Sequence, residues 1–401
     1  MAGRGLDRRQ LIAGAGLTIG ALVLPRLAWS ATPTDRRLVV VILRGAMDGL
    51  SAAPAYGDPD FETARNGLAI PRPGQEGGAL DLDGFFGLNP ALKGLAGRYA
   101  AKELVVVHAI ASPYRDRSHF DAQNLLENGS DKPYGLADGW LNRALDGLPP
   151  ASRAGRKDLG VAVAASMPLM MRGPSPVTSW SPSLLPSPDA GLIARAQALY
   201  GASDPKLAAA LSAASDAQRQ AEGMGRGQDN FPALMAAAAR FLRAPDGPCA
   251  AVVESTGWDT HAGQKGEFGA LQRNLRGLDA GIDALAVGLG DDAWSRTAVL
   301  VVTEFGRTVA MNGTAGTDHG AGGAAFLVGG AVKGGRVLAD WPGLKPADLY
   351  AGRDLKPTAD LRALFKAALR DHMGVDDARL ERDVFPGSSS AKPMDGLFRQ
   401  T

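Results

Sequence analysis

Six short runs of apolar, mostly β-branched residues recur along the chain, at positions 38–43, 104–108, 159–165, 250–254, 298–303 and 324–328. Most are continuous instead of alternating. A strand with one wet face shows a period of two, whereas a strand covered on both faces has no need of polar residues at every second position. The runs therefore predict buried strands in a mostly parallel sheet. The stretches between them carry the helical period that such a sheet needs for its connections and its cover. The clearest helix is expected over 266–287, where Phe268, Leu271, Leu275, Leu278, Ile282 and Leu285 recur three and four apart and form one apolar stripe. Leu361, Leu364, Phe365 and Leu369 mark a terminal helix, and Asn89-Pro90 reads as an N-cap followed by proline at the first helical position. The expected fold is α/β, with a doubly wound, mostly parallel central sheet flanked by helices.

The first thirty residues do not share that pattern. Arg4, Arg8 and Arg9 precede an apolar run from 11 to 24 that is diluted by Gly14, Gly16, Thr18 and Gly20 and closed by Pro25. The run falls short of the ~20 apolar residues that span a bilayer. Ala28-Trp29-Ser30 then offers small residues where a signal peptidase cuts. The stretch Leu6-Asp7-Arg8-Arg9-Gln10-Leu11-Ile12 resembles the twin-arginine export signal, with Asp7 where Ser or Thr is usual. Residues 1–30 are thus expected to be a twin-arginine signal peptide, with the twin-arginine translocase as a partner during export and a periplasmic or secreted destination. Residues 31–401 are expected to form a single α/β domain with no membrane span after cleavage. Within it, the Ala-rich stretch 188–243 reads as a helical insertion, and 168–188, with six prolines, as an irregular lid-like loop.

Removing residues 1–30 takes four arginines and one aspartate from 43 basic and 42 acidic residues and leaves a formal charge of −2. Such a chain lacks the concentrated positive field that nucleic acid or an anionic membrane surface demands, so neither is expected as a partner. Cys249 is the single cysteine, which excludes an intramolecular disulfide. It adjoins Ala250, Ala251, Val252 and Val253 and is expected to be buried and inert.

In an open α/β sheet, ligands gather beyond the carboxyl ends of the strands, and five polar clusters border the apolar runs. In Arg44-Gly45-Ala46-Met47-Asp48-Gly49, Asp48 suits either a ligand carboxylate or a turn residue bonded to its own backbone. After the second run, Ser118 suits either a helix cap or a nucleophile at a helix N-terminus, with Arg115 and Arg117 close in sequence. His119 beside it fits a base, a metal ligand or a hydrogen-bond donor. After the fourth run, Asp259 and His261 stand two apart, a carboxylate and an imidazole that together suit zinc or manganese. After the fifth, Glu304 and Arg307 read as a ligand and an anion clamp, or as a salt bridge with each other. Before the sixth, Asp318-His319 lies in a glycine-containing loop that lets backbone approach an ion or an ester. Three of the five histidines occupy these loops; His108 is expected in the core and His372 in solvent on the terminal helix.

Taken together, positions 43–50, Arg117-Ser118-His119-Phe120, Trp258-Asp259-Thr260-His261, positions 303–308, and Asp318-His319-Gly320 with Gly329-Gly330 carry a family resemblance. Over nearly all of its length after residue 30, the chain resembles the exported bacterial family known as domain of unknown function 1501. That family looks like a branch of the alkaline phosphatase and sulfatase superfamily, whose members use a Ser, Thr or formylglycine nucleophile and usually two metal ions. The resemblance implies an alkaline-phosphatase-like fold, with Asp48 as the first-strand ligand and Ser118 as the nucleophile. It implies Asp259, His261 and His319 as ligands of a first metal and Glu254 as an acid near a third, lighter ion. One departure stands out. Where the superfamily shows Asp-His after the fifth strand, this chain has Glu304-Phe305-Gly306, and a phenyl ring ligates nothing. No Cys-x-Pro-x-Arg segment is present, so the formylglycine route is excluded.

Two functions of different class follow. One is an exported metal-dependent hydrolase acting on a phosphate, sulfate or related ester of a small molecule or glycan. In it Ser118 attacks, His119 assists, and Arg117 and Arg307 neutralise developing charge. A divalent metal (zinc or manganese, with calcium or magnesium as alternatives) is held among Asp48, Asp259, His261, Glu304, Asp318 and His319. The other is a non-catalytic binding or assembly factor for cell-surface biogenesis with a degenerate metal site, a reading that Phe305 favours.

Overall fold

The computed structural model describes residues 35–182, 189–220, 230–266 and 269–399. The expected signal peptide, and Phe268 of the expected helical stripe, lie outside them. One sheet of nine strands organises these residues: β1 (Arg37–Leu43), β2 (Leu104–Ala111), β3 (Gly160–Val163), β4 (Val177–Trp180), β5 (Ala250–Ser255), β6 (Thr297–Val302), β7 (Gly323–Val328), β8 (Arg336–Leu338) and β9 (Ala359–Asp360). Their order is β8-β2-β7-β6-β1-β5-β3-β4, with β9 also pairing with β2. All six apolar runs are strands. The helices used below are α1 (Gly49–Ala52), α2 (Phe61–Arg65), α3 (Lys93–Ala100), α4 (His119–Asn128), α5 (Ala190–Ser203), α6 (Pro205–Gln220), α7 (Phe231–Arg243), α8 (Ala270–Ser295) and α9 (Leu361–Ala367).

The continuous apolar runs have the consequence that their composition predicts. On β1, Leu38, Val40 and Ile42 enter one core cluster with α9 and the segment that follows it, while Val39, Val41 and Leu43 enter a second cluster with α3, α7 and α8. Every residue of β1 is buried, so both faces are covered and the sheet is doubly wound. Cys249 is fully buried as expected, and burial pushes its thiol up to about 11.

Several local expectations change. β7 runs antiparallel to both β6 and β2, whereas the other pairings in this sheet are parallel. The link from β6 to β7 contains no crossover helix, and an antiparallel neighbour needs none. The proline-rich stretch expected as a lid holds β4, which pairs with β3 at the sheet's edge. α8 extends past its expected end at 287 to Ser295, with a non-helical break at Gly290. Asn89 opens a turn, its side chain accepting from Ala91 N at 2.9 Å, and the helix proper begins at Lys93. Of the 188–243 stretch, α7 packs under the sheet against α8, while α6 packs on the edge strand β4 and puts Ala217 into the same core cluster.

His372, expected in solvent, is buried. The chain's last segment folds back over it, Phe398 stacks on its ring at 5.2 Å, and its Nε2 meets the Arg37 carbonyl at 2.9 Å. The charges around it are satisfied without exposing it, since Arg370 pairs with Asp371 and Asp395. Burial holds it down at about 4, and likewise His108, which lies in the core as expected.

Candidate metal centre

Strand direction assembles the site. β1, β5 and β6 are parallel, so the loops that follow them leave the sheet at one edge. β7 is antiparallel to β6 and β2, so β2 ends at that same edge and β7 begins there. His119, the first residue of α4 after β2, therefore meets Asp259 from the loop after β5, Glu304 from the end of β6, and His319 from the loop before β7. The returning loop is pinned by a bridge between Arg307 and His319, and Gly306 N donates to Ala321 O at 2.9 Å. A Cβ on Gly306 would lie 1.8 Å from the Gly322 carbonyl oxygen, so the backbones approach too closely for any side chain there. Gly45, at φ +117°, does the same for the Asp259 loop: its Cβ would lie 2.5 Å from Asp259 N.

The imidazoles face one another with their Nε2 atoms. His119 Nε2 lies 3.0 Å from His319 Nε2, and His261 Nε2 lies 2.9 Å from the same atom. Their outer nitrogens are already committed. His119 Nδ1 meets Glu304 Oε1 at 2.7 Å, His261 Nδ1 meets Asp318 Oδ1 at 3.1 Å, and His319 Nδ1 meets the Arg117 carbonyl at 3.0 Å. Carboxylates and carbonyls only accept, so in its neutral form each ring carries its proton on Nδ1 and presents an Nε2 lone pair inward. Lone pairs at this separation repel unless a proton or a cation stands between them.

The Asp259 carboxylate completes the cluster, 3.4 Å from His319 Nε2 and 3.6 Å from His119 Nε2. Tetrahedral zinc, at about 2.0–2.1 Å from each donor, sets donor separations of about 3.3 Å. The ligand atoms of His119, Asp259 and His319 all lie within 4.8 Å of one another, and His261 borders them 3.1 Å from Asp259. Two imidazoles and a carboxylate, with a third imidazole alongside, are a donor set that fits zinc.

Electrostatics prepare these donors. Burial opposes the charged form of Asp259, but the Arg307 guanidinium outweighs it and holds the carboxyl below its usual range. Burial likewise opposes Glu304, and hydrogen bonds from His119 and Gln123 outweigh it, so that this acid too titrates low. The Glu304 hydrogen bond raises His119, while burial and then the neighbouring His119 charge lower His319.

The remaining expected site residues have other placements. Asp48 is buried, caps α1 by accepting from Ser51 N, and pairs with Arg65 at 2.6 Å and with Gln264, outside the His119–Asp259–His319 cluster. Glu304 is fully buried and saturated, accepting from Gly45 N, Gln123 and Thr303 besides His119; it stands behind a ligand position. Asp318 stands in the same way behind His261 and also accepts from Asn312. Arg307 is buried and does not pair with Glu304. It binds Asp259 and the carbonyls of Gly45, Ala46 and Thr317, fixing the carboxylate in place. Arg117 pairs with the buried Asp354 at 2.6 Å, and its backbone at φ +62° turns its carbonyl toward His319. Glu254 shares the Arg44 guanidinium with Glu127, which lies 2.8 Å from it.

Ser118 holds the N-cap position of α4 with extended backbone, yet its hydroxyl makes no cap hydrogen bond. Phe305 packs on the rings of both His119 and His319, at 4.8 and 5.2 Å, and walls the site where a further ligand was expected. His119 is the residue whose role the sequence left most open; it joins Asp259 and His319 in the candidate cluster, and its place among the loop histidines and in the Arg117-Ser118-His119-Phe120 segment was the signal pointing to it.

Residues 105–385 match the family described as Protein of unknown function (DUF1501). Among solved structures, the chain is similar to the C-terminal periplasmic domain of EptC from Escherichia coli in complex with zinc, at 11% identity and a TM-score of 0.40, covering 86% of this chain and 85% of that one. It is similar to the alkaline phosphatase of the Antarctic bacterium TAB5, at 14% identity and a TM-score of 0.35, covering 74% and 92%. It is similar also to the lipoteichoic acid synthase LtaP from Listeria monocytogenes, at 8% identity and a TM-score of 0.37, covering 88% and 76%. No curated protein matches the sequence. Among the described residues, no helix is long and apolar enough to cross a membrane.

Proposed function

Since this chain belongs to the DUF1501 family, we propose that it is an exported metal-dependent hydrolase acting on a phosphate, sulfate or related ester. The observation that carries the proposal is the inward convergence of the His119 and His319 Nε2 atoms and the Asp259 carboxylate, with each imidazole oriented from behind. His119, Asp259 and His319 would hold the ion, with His261 alongside. A bound divalent cation supplies Lewis acidity toward an ester oxygen and lowers the pKa of a coordinated hydroxyl. Ser118, one residue before His119, is the proposed nucleophile: its hydroxyl is free of cap duty, and the N-terminus of the ten-residue α4 favours negative charge beside it. Arg117 and Arg307 act by position, one aiming its carbonyl at His319 and the other holding Asp259. The export reading rests on residues 1–30 alone.

A second reading has its own support. Glu304 is saturated and Phe305 fills the neighbouring ligand place, so the donors at hand suit one ion better than two. A binding or assembly factor that keeps one ion for shape fits that arrangement.

One experiment separates them. The purified chain is analysed for metal, then assayed on nitrophenyl phosphate, a nitrophenyl phosphodiester and nitrophenyl sulfate with added zinc, manganese or calcium. Hydrolysis that disappears in Ser118→Ala while metal is retained supports the enzyme. Metal binding without turnover supports the binding factor, and a folded protein with no affinity for a transition metal refutes both.

A further inference from the structure

Arg44, the residue after β1, brings a fixed positive charge within one glutamine side chain of Glu304. Parallel pairing sets Ile42 of β1 beside Glu254 of β5, and Arg44 N donates to the Ser255 carbonyl at 2.7 Å, so Arg44 and Glu254 leave the sheet together. Facing them is α4, where His119, Gln123 and Glu127 recur four apart and share one helix face. That face carries a continuous polar row. His119 Nδ1 donates to Glu304 at 2.7 Å, and Gln123 donates to Glu304 at 3.0 Å and accepts from Arg44 Nη1 at 3.2 Å. Glu127 meets the same Arg44 nitrogen at 2.8 Å, and Arg44 Nη2 binds Glu254.

The family resemblance implies a lighter ion near Glu254, and the donors there fit one. Glu127, Glu254 and the Gln123 carbonyl offer oxygen alone, the donor type that magnesium and calcium prefer. A cation already stands among them. Arg44 is largely buried, its partner Glu127 is buried and anchored by a hydrogen bond from Met170 N at 3.0 Å, and a guanidinium is not deprotonated in a protein. Burial opposes the Arg44 charge, but Glu127 and then Glu254 outweigh it. A divalent ion at the same oxygens would meet that charge at close quarters.

We infer that the Arg44 guanidinium takes the place of the lighter ion, so that the chain holds a single metal ion, at the His119–Asp259–His319 cluster. Arg44 is also a positioning residue. By donating to the Gln123 carbonyl it turns the Gln123 amide toward Glu304, the group behind His119. This goes beyond the hydrolase reading, since a binding factor would hold its ion in the same way, and it rests on that reading only for the zinc at the cluster.

The test is metal stoichiometry. The zinc-loaded full chain is dialysed to equilibrium against magnesium or calcium at fixed ionic strength, and its unfolding midpoint is followed in the same series. The parent and Arg44→Lys should take up neither ion. Arg44→Ala should gain one equivalent, with a Kd of about 10⁻⁴–10⁻³ M, and its midpoint should rise with the ion. Arg44→Ala combined with Glu254→Gln should gain none. Saturable uptake of magnesium or calcium by the parent overturns the inference. So does an Arg44→Ala variant that neither gains an ion when folded nor is recovered by one when unfolded. A parent that binds no zinc refutes the cluster reading instead, and the difference of one equivalent between Arg44→Ala and the parent, measured without zinc, still decides the role of Arg44.

Discussion

Replacing Glu304 by glutamine isolates the effect of one buried charge behind His119. Glu304 Oε1 accepts from Gly45 N at 2.9 Å, from His119 Nδ1 at 2.7 Å and from Gln123 Nε2 at 3.0 Å, while Oε2 accepts from Thr303 Oγ1 at 2.9 Å. A glutamine carbonyl in the Oε1 place keeps the first three bonds. The amide nitrogen then faces Thr303 Oγ1, which can donate to Leu43 O at 2.7 Å and accept from the new amide. The contacts survive and the charge goes. A carboxylate about 7 Å from a divalent ion has a gross attraction of about 5 kcal/mol at an effective dielectric of about 20, which is a ceiling. The cost of burying the carboxylate and the dipole that glutamine retains offset much of it. Losing a group hydrogen-bonded behind a metal-ligating histidine typically costs tenfold to hundredfold in metal affinity, about 1.4–2.7 kcal/mol. Zinc affinity of Glu304→Gln, measured by competition with a chromophoric chelator at fixed pH, should therefore fall by that factor, with the metal-free unfolding midpoint within a few degrees of the parent. Unchanged zinc affinity in the folded variant would refute the reasoning. A collapse of metal-free stability would make Glu304 a structural residue instead.

Two further outcomes follow from buried groups. Arg65→Ala leaves the fully buried Asp48 carboxylate without its cation, and urea unfolding should show a loss of about 3–5 kcal/mol with zinc affinity retained. His108 and His372 are held near 4 in the fold against 6.5 in the unfolded chain. Between those values the unfolded chain binds more protons, so the stability that these residues confer is complete above pH 6.5 and is lost as pH falls through 4. The loss approaches about 3 kcal/mol for each residue. Urea midpoints measured from pH 7 to pH 4 should shift downward, and His372→Gln should reduce the slope; a midpoint independent of pH across that interval would contradict the burial of both rings.

Legibility differed by residue for physical reasons. The strands could be read because a continuous apolar run reports two covered faces wherever it occurs, and all six runs are in the sheet. Asp259 and His261 could be read as a pair because two residues of one loop need no tertiary information to be neighbours. His119 could not be assigned, because its Nε2 meets that of a residue 200 positions away. Arg307 suggested a clamp or a partner for Glu304, the nearest acid in sequence; the fold offers it Asp259, 48 positions away, and a ring of carbonyls. His372 was misjudged because the local pattern held no sign of the tail that covers it.

What the sequence by itself determined is the layered architecture, the buried cysteine, and the loops in which chemistry-bearing residues collect, since these follow from periodicity and composition within short windows. What only the tertiary structure decided is which of those residues meet. The antiparallel course of β7 brings His319 to the edge where β2, β5 and β6 end, and so makes one cluster of His119, Asp259 and His319. Where the imidazole nitrogens point depends on how each ring is held, and strand direction and the hydrogen bonds of Glu304, Asp318 and Arg117 supply that control.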